Sequence, residues 1–331
     1  MLFSTRMSSD LFAYSVCMEH RILGRTSLRV SLLSLGSGGA RQLGQTIGMT
    51  QSGQTALVRR ALDLGVNFID TSAGYGESEA ILGRALGSVP RDSYHLCTKW
   101  SPWENGVFGQ DPQSLVDSVE RSLARLGTDH VEVMMFHGPL AAEYRVIVDR
   151  FYPTMERLRE QGKIRYIGLS VQYVTEPSQG VVDLAIKSDP NLWDVLMLKY
   201  GLLNQSVAKE VLPLAIKHGI GIMNMAAIRV KLPDPDLLQE LMREWSDDGH
   251  IGRGELPSNN PLGWLVRDDV ASVVAAGYKF AADHPAIATV ITGTTNLDHL
   301  EENAAALRKP YLPANDTRRI KELFGNIVEY A

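Results

Sequence analysis

Residues 66–83 read V-N-F-I-D-T-S-A-G-Y-G-E-S-E-A-I-L-G. Val66 to Ile69 form a short, mostly apolar run of the kind a buried strand needs, small residues make a turn, and from Ser78 apolar positions recur at helical spacing. The stretch is therefore a strand, a turn and an amphipathic helix. It sets a carboxylate, Asp70, at the strand's carboxyl end and a phenol, Tyr75, in the loop behind it. That edge of an α/β protein is where ligands and chemistry are kept. By themselves the two residues read equally well as a turn cap and a cover for the helix start. The surrounding chain decides between these readings.

Working outward, the chain keeps a regular beat. Helical periods at 54–64, 78–86, 112–126, 151–161, 180–187, 207–217, 270–282 and 297–307 alternate with short apolar runs at 66–69, 94–98, 131–136, 164–169, 194–198, 220–223 and 287–291. With a further run at 32–35 there are eight strands, each with a helix behind it. Such alternation predicts a parallel sheet. A doubly wound sheet would share it, but eight evenly spaced units with no linker between them predict a closed (β/α)8 TIM barrel of the α/β class. Ahead of it, Gly24 to Ser27 between two short runs predict a β-hairpin. Residues 1–17 are expected to be a loosely held extension without a signal peptide's apolar centre, and 18–331 a single domain. The excursion 226–269, with a helix at 235–245, leaves from a strand's carboxyl end and is expected to act as a lid.

Composition narrows the function. The chain has 331 residues, is 44% hydrophobic and 21% charged, and has no long apolar run, so no membrane span is expected. A formal charge of −5 gives no electrostatic footprint for nucleic acid. Cys17 and Cys97 lie far apart and in no metal-type spacing, so neither a disulfide framework nor a metal site is expected, and a reducing, cytoplasmic setting fits.

Polar residues gather at the ends of three successive strands. Asp70 ends the second strand, with Tyr75 in its loop; Lys99 ends the third (H-L-C-T-K-W) and His137 the fourth (V-M-M-F-H-G-P). Because strand side chains alternate, Phe68 and Asp70 share one face, as do Cys97 and Lys99, and Met135 and His137. In a barrel those faces point inward at the top, within mutual reach.

N-F-I-D-T-S-A-G-Y-G-E-S-E-A-I-L-G, with C-T-K on the next strand, F-H-G-P on the fourth, G-K-I-R-Y-I-G-L-S and the late I-T-G-T-T-N-L-D-H-L-E-E-N-A, resembles the aldo-keto reductase superfamily from about Met18 to Leu307. The resemblance implies an NAD(P)-dependent oxidoreductase that interconverts an aldehyde, ketone or aldose with its alcohol. Tyr75 would be the general acid/base, Lys99 would lower its pKa from about 10, Asp70 would anchor Lys99, and His137 would orient the carbonyl. Around the cofactor it implies Gly38, Gly39, Asp70, Ser170, Met197, Met225, Ala226, Ala227, Ile228, Arg229, Gly293, Thr294, Thr295, His299 and Asn303. Around the substrate it implies Tyr75, His137, Trp100 and Trp103, the last two reading equally as a core cover. The family's usual Asn after Ser170 is Val171 here, its Gln is Met197 and its stacking aromatic is Met225. A 2′-phosphate is best held by Arg or Lys; residues 294–300 contain neither, so NADH use or tolerance of both cofactors is expected. The departures resemble the aldose (galactose or fucose) dehydrogenase branch. Two rival readings are a cofactor-binding regulatory subunit, as resembles the potassium-channel β subunits, and a barrel lyase using Lys99 as a Schiff base.

Overall fold

A computed structural model describes residues 17–104, 106–109 and 111–329. The eight expected strands pair in parallel around a closed ring. They are β1 (Leu33–Gly36), β2 (Phe68–Asp70), β3 (His95–Trp100), β4 (Val131–His137), β5 (Ile164–Ser170), β6 (Val195–Lys199), β7 (Gly221–Met225) and β8 (Ile287–Thr292). Ring order is chain order, and β8 closes on β1 through Val290↔Leu33 and Thr292↔Leu35.

The alternation of each strand divides the core in two. One set of side chains, including Ile69, Leu96, Met134, Phe136, Ile167 and Leu169, packs outward under the helices. The other fills the barrel: Phe68, Cys97, Val133, Met135, Val195, Met197, Met223 and Ala288. The predicted hairpin is present, pairing His20–Ile22 with Arg29–Ser31, and Leu23, Leu28 and Val30 join the interior set. The hairpin closes the base of the barrel, and its turn lies hard against β7. Gly24 has φ +55°, and a Cβ there would sit 2.1 Å from the backbone nitrogen of Gly221.

The helices start and stop where local chemistry allows. Thr50 caps the helix Gln51–Asp63 by accepting the Gly53 N–H, so that helix begins three residues before its apolar period does. Asp111 caps Pro112–Leu126, which ends on Gly127 in the left-handed region at φ 67°. The structure adds to the expected elements a two-stranded piece, Trp103–Glu104/Val107–Phe108, after β3 and a last helix, Ala314–Phe324. That helix buries Ile320, Leu323 and Phe324.

The excursion carries the helix Pro235–Asp247. Its Trp245 packs against Phe324, ring centroids 5.8 Å apart. Of the proposed extension 1–17, all but Cys17 lies outside the described residues. Among the described residues, no helix is long and apolar enough to cross a membrane.

Leu23 is wholly buried, so Leu23→Ala leaves a cavity in the plug. It is expected to lower unfolding stability by about 2–5 kcal/mol in urea titrations, with far-UV circular dichroism unchanged.

Candidate active site

The barrel's register builds a staircase at its mouth. Asp70 is level with Cys97 on β3, which places Lys99 one inward step higher. Lys99 is level with Met135 on β4, which places His137 one step higher again. From there the Lys99 ammonium donates to Asp70 Oδ1 at 2.6 Å and to the Thr71 carbonyl at 2.8 Å, both within the protein interior. Tyr75 leans in from the loop after β2. Its ring centroid lies 5.0 Å from Lys99 Nζ, its hydroxyl 3.4 Å from His137 Nε2, and the two rings meet edge to face at 5.4 Å.

Neighbouring loops hold that tyrosine in place, and none of their residues carries a sequence signal for doing so. The Gln45 amide nitrogen donates to the Tyr75 carbonyl at 3.1 Å and to Ser78 Oγ at 2.9 Å, while its oxygen accepts the Glu77 N–H at 2.8 Å. Gly38 lies flat under the phenol: a Cβ there would meet Tyr75 Cε2 at 2.5 Å. Ser72 Oγ is 3.0 Å from His137 Nδ1 and accepts the Gly74 N–H at 3.1 Å.

Burial and charge set the protonation states. Burial alone would lower the pKa of Lys99; the Asp70 carboxylate, followed by Tyr75 and Cys97, more than offsets this and holds the ammonium charged. Burial raises Asp70, with Lys99 pulling the other way. Burial and then the Lys99 charge push His137 down to about 3, so the ring is neutral at pH 7. For Tyr75 the expected net lowering is corrected: burial outweighs the downward pull of Lys99, and the phenol stands above its ordinary value. The group is a protonated phenol beside a cation.

A cavity of about 760 Å³ opens at these residues. Its wall contains Asp70, Tyr75 and His137, and of the expected cofactor residues it contains Gly38, Gly39, Met197, Met225, Ala226, Ala227, Ile228, Arg229 and Gly293. Sequence reading missed others, among them Arg41, Tyr173, Val174, Pro233 and Leu237, which come from the segments after β1, β5 and β7.

Other expected contacts are placed elsewhere. Ser170 is not in the wall; its hydroxyl accepts the Gly138 N–H at 3.1 Å and donates to the Phe136 carbonyl at 3.3 Å. Thr294, Thr295, His299 and Asn303 also lie outside it. The Asn303 amide donates to Thr292 Oγ1 at 3.0 Å, tying helix to strand. Trp100 is corrected as a substrate contact. It is level with Phe136 and points outward with it, packing on Phe136 and Phe151 with ring centroids 6.2 and 5.0 Å away. Trp103 is partly exposed and donates to Glu143, outside the cavity wall. Among the described residues, no group of three or more His, Cys, Asp or Glu is arranged to hold a metal ion.

The model of the aldo/keto reductase family matches residues 34–324, and the chain belongs to that family. It is 28% identical over 298 residues to L-galactose dehydrogenase from Arabidopsis thaliana, covering 88% of each chain. It is 27% identical over 282 residues to the NADH-specific methylglyoxal reductase of Escherichia coli, covering 73% of this chain and 79% of the other. The holo form of the aldo-keto reductase AKR11C1 from Bacillus halodurans superposes with a TM-score of 0.69 at 24% identity, over 95% of this chain and 97% of that one, and shares its fold. The protein is an NAD(P)-dependent oxidoreductase.

The depressed His137 pKa has a definite sign for stability. Unfolded histidine titrates near 6.5 and the folded ring near 3, so the unfolded chain binds the extra proton first and stability falls as pH drops below 6.5. Urea unfolding at pH 6.5 and pH 5 should show the parent losing about 1 kcal/mol more than His137→Gln, the ring's edge on the cavity holding the effect below its full value.

Proposed function

We propose that the chain reduces small polar carbonyl compounds, and oxidises the matching alcohols, with NADH as the preferred reductant and Tyr75 as the proton-transfer group. One observation carries this reading: a protonated phenol, a neutral imidazole and a buried ion pair converge at one end of a cavity with room for a dinucleotide. The wall residues fit such a group. Backbone at 226–229 and the Arg229 cation suit a pyrophosphate, and the sulfurs of Met197 and Met225 are polarizable surfaces for a flat ring. A reduced nicotinamide bound there supplies the hydride.

The protein's own groups do the rest. Tyr75 donates its phenolic proton to the carbonyl oxygen as charge builds there, and takes it back in oxidation. Lys99, kept charged by Asp70, stabilises the phenolate left behind. His137, neutral, orients the oxygen from the other side. A lysine held charged by a carboxylate is the opposite of the desolvated free amine that Schiff-base chemistry needs.

Aldoses and 2-oxoaldehydes come first among the proposed substrates, a reading supported by the similarity to an L-galactose dehydrogenase and a methylglyoxal reductase. NADH preference rests on the family resemblance, which assigns residues 294–300 to the adenosine end of the cofactor; that segment has no Arg or Lys for a 2′-phosphate, and carboxylates follow it. Glu301 there is paired with Arg60 at 2.8 Å, which engages that guanidinium.

The test is a panel of sugars, aldehydes and ketones followed by nicotinamide absorbance in both directions. Activity should be at least about tenfold higher in kcat/KM with NADH than with NADPH. Tyr75→Phe should lose about 10²–10⁴-fold in kcat while its Kd for NADH, read by fluorescence quenching, stays within about threefold. Parental turnover in Tyr75→Phe would refute the assignment.

A further inference from the structure

His137 has two ring nitrogens, and the proposed reaction needs the hydrogen on a particular one. If Nε2, the nitrogen facing Tyr75, is to hold a carbonyl oxygen, it must carry an N–H, because a bare lone pair there repels the oxygen and competes for the tyrosine's hydrogen. Which nitrogen carries the hydrogen is set by the partner of the other one. That partner is Ser72.

Ser72 is almost fully buried, three residues before Tyr75. Its oxygen touches three groups: His137 Nδ1 at 3.0 Å, the Gly74 N–H at 3.1 Å and the Lys99 carbonyl at 3.4 Å. A serine hydroxyl has one hydrogen to give. The Gly74 N–H already fills an acceptor position on the oxygen. The Lys99 carbonyl is the more distant candidate and accepts the Ala73 N–H at 3.3 Å. Nδ1 is at good hydrogen-bond distance.

We propose that Ser72 donates its hydroxyl hydrogen to His137 Nδ1 and thereby fixes the imidazole in the tautomer that carries its hydrogen on Nε2, facing Tyr75 and the reacting oxygen. This rests on the carbonyl-reducing reading above for its consequence, but not for its geometry. Ser72 touches no substrate and is a positioning residue that acts through His137. The backbone frame it bridges, from the β2 loop to the ends of β3 and β4, presents the serine at this point.

The experiment uses the full-length protein labelled with ¹⁵N-histidine, with the His137 signals identified as those missing from His137→Gln. In the parent, Nε2 should show a pyrrole-type shift with its proton attached and Nδ1 a pyridine-type shift. In Ser72→Ala the two shifts should move toward each other or exchange. Where a carbonyl substrate is turned over, Ser72→Ala should lower kcat about tenfold, the size of one lost hydrogen bond, with Kd for NADH and KM within about threefold. A parental ring protonated on Nδ1, or unchanged shifts in Ser72→Ala, would overturn the proposal. If the shifts behave as stated but no carbonyl compound is reduced, the assignment of the hydrogen stands and the carbonyl-reducing reading falls.

Discussion

An ammonium and a carboxylate lie side by side at the mouth of this barrel, Lys99 Nζ 2.6 Å from Asp70 Oδ1, with almost no water reaching either. Each alone would be expelled from such a place, and removing one partner of a buried pair typically costs about 3–5 kcal/mol. The pair is tolerable because the stagger of neighbouring strands sets Asp70 one step below Lys99, and because the Thr71 carbonyl takes a second ammonium hydrogen. Everything around it follows that demand. The β2 loop turns tightly enough to bring the Tyr75 ring over the ammonium, the β1 loop supplies a glycine where the ring must lie flat, and Gln45 ties the two loops together. The positive charge then acts in two directions: it adds to burial in holding the imidazole of His137 neutral and, in the proposed reaction, would steady the anion that Tyr75 becomes on giving up its proton.

The architecture was readable because its signals are local. Apolar runs of strand length, helical periods between them and polar residues at strand ends each lie within a few residues of one another. Alternation alone put Asp70, Lys99 and His137 on inward faces, and the barrel's closure does the rest. The same alternation, applied one residue further, would have turned Trp100 outward, since it follows an inward lysine on the same strand. What local reading could not supply is anything that depends on burial or on distant partners. The net rise in the Tyr75 pKa is a desolvation effect, invisible until the depth of the mouth is known. Ser170 and Asn303 have the right chemistry for a ligand, yet the Ser170 hydroxyl is engaged by Gly138 and Phe136 and the Asn303 amide nitrogen by Thr292. Ser72 and Gln45 sit in plain sequence, but each gains its role from a group 30 or more residues away.

The remainder of the cavity is built differently. Opposite the rigid staircase, the wall comes from loops: Tyr173 and Val174 after β5, then the run from Ala226 to Leu237. Lys199 at the end of β6 anchors this side, pairing with Glu329 near the C-terminus at 2.7 Å and facing the Tyr173 ring at 4.9 Å. Asp70, Lys99 and His137 are thus held by strands, and Tyr75 and most of the remaining wall by loops.

In the proposed reaction the charge on Lys99 drives the proton step and not the binding of cofactor. Single-turnover oxidation of pre-bound NADH by a saturating carbonyl substrate, in parent and in Lys99→Met, tests it most directly. The account predicts a rate at least about a hundredfold lower in the variant, with NADH affinity within about threefold. A variant that transfers hydride at the parental rate would contradict it.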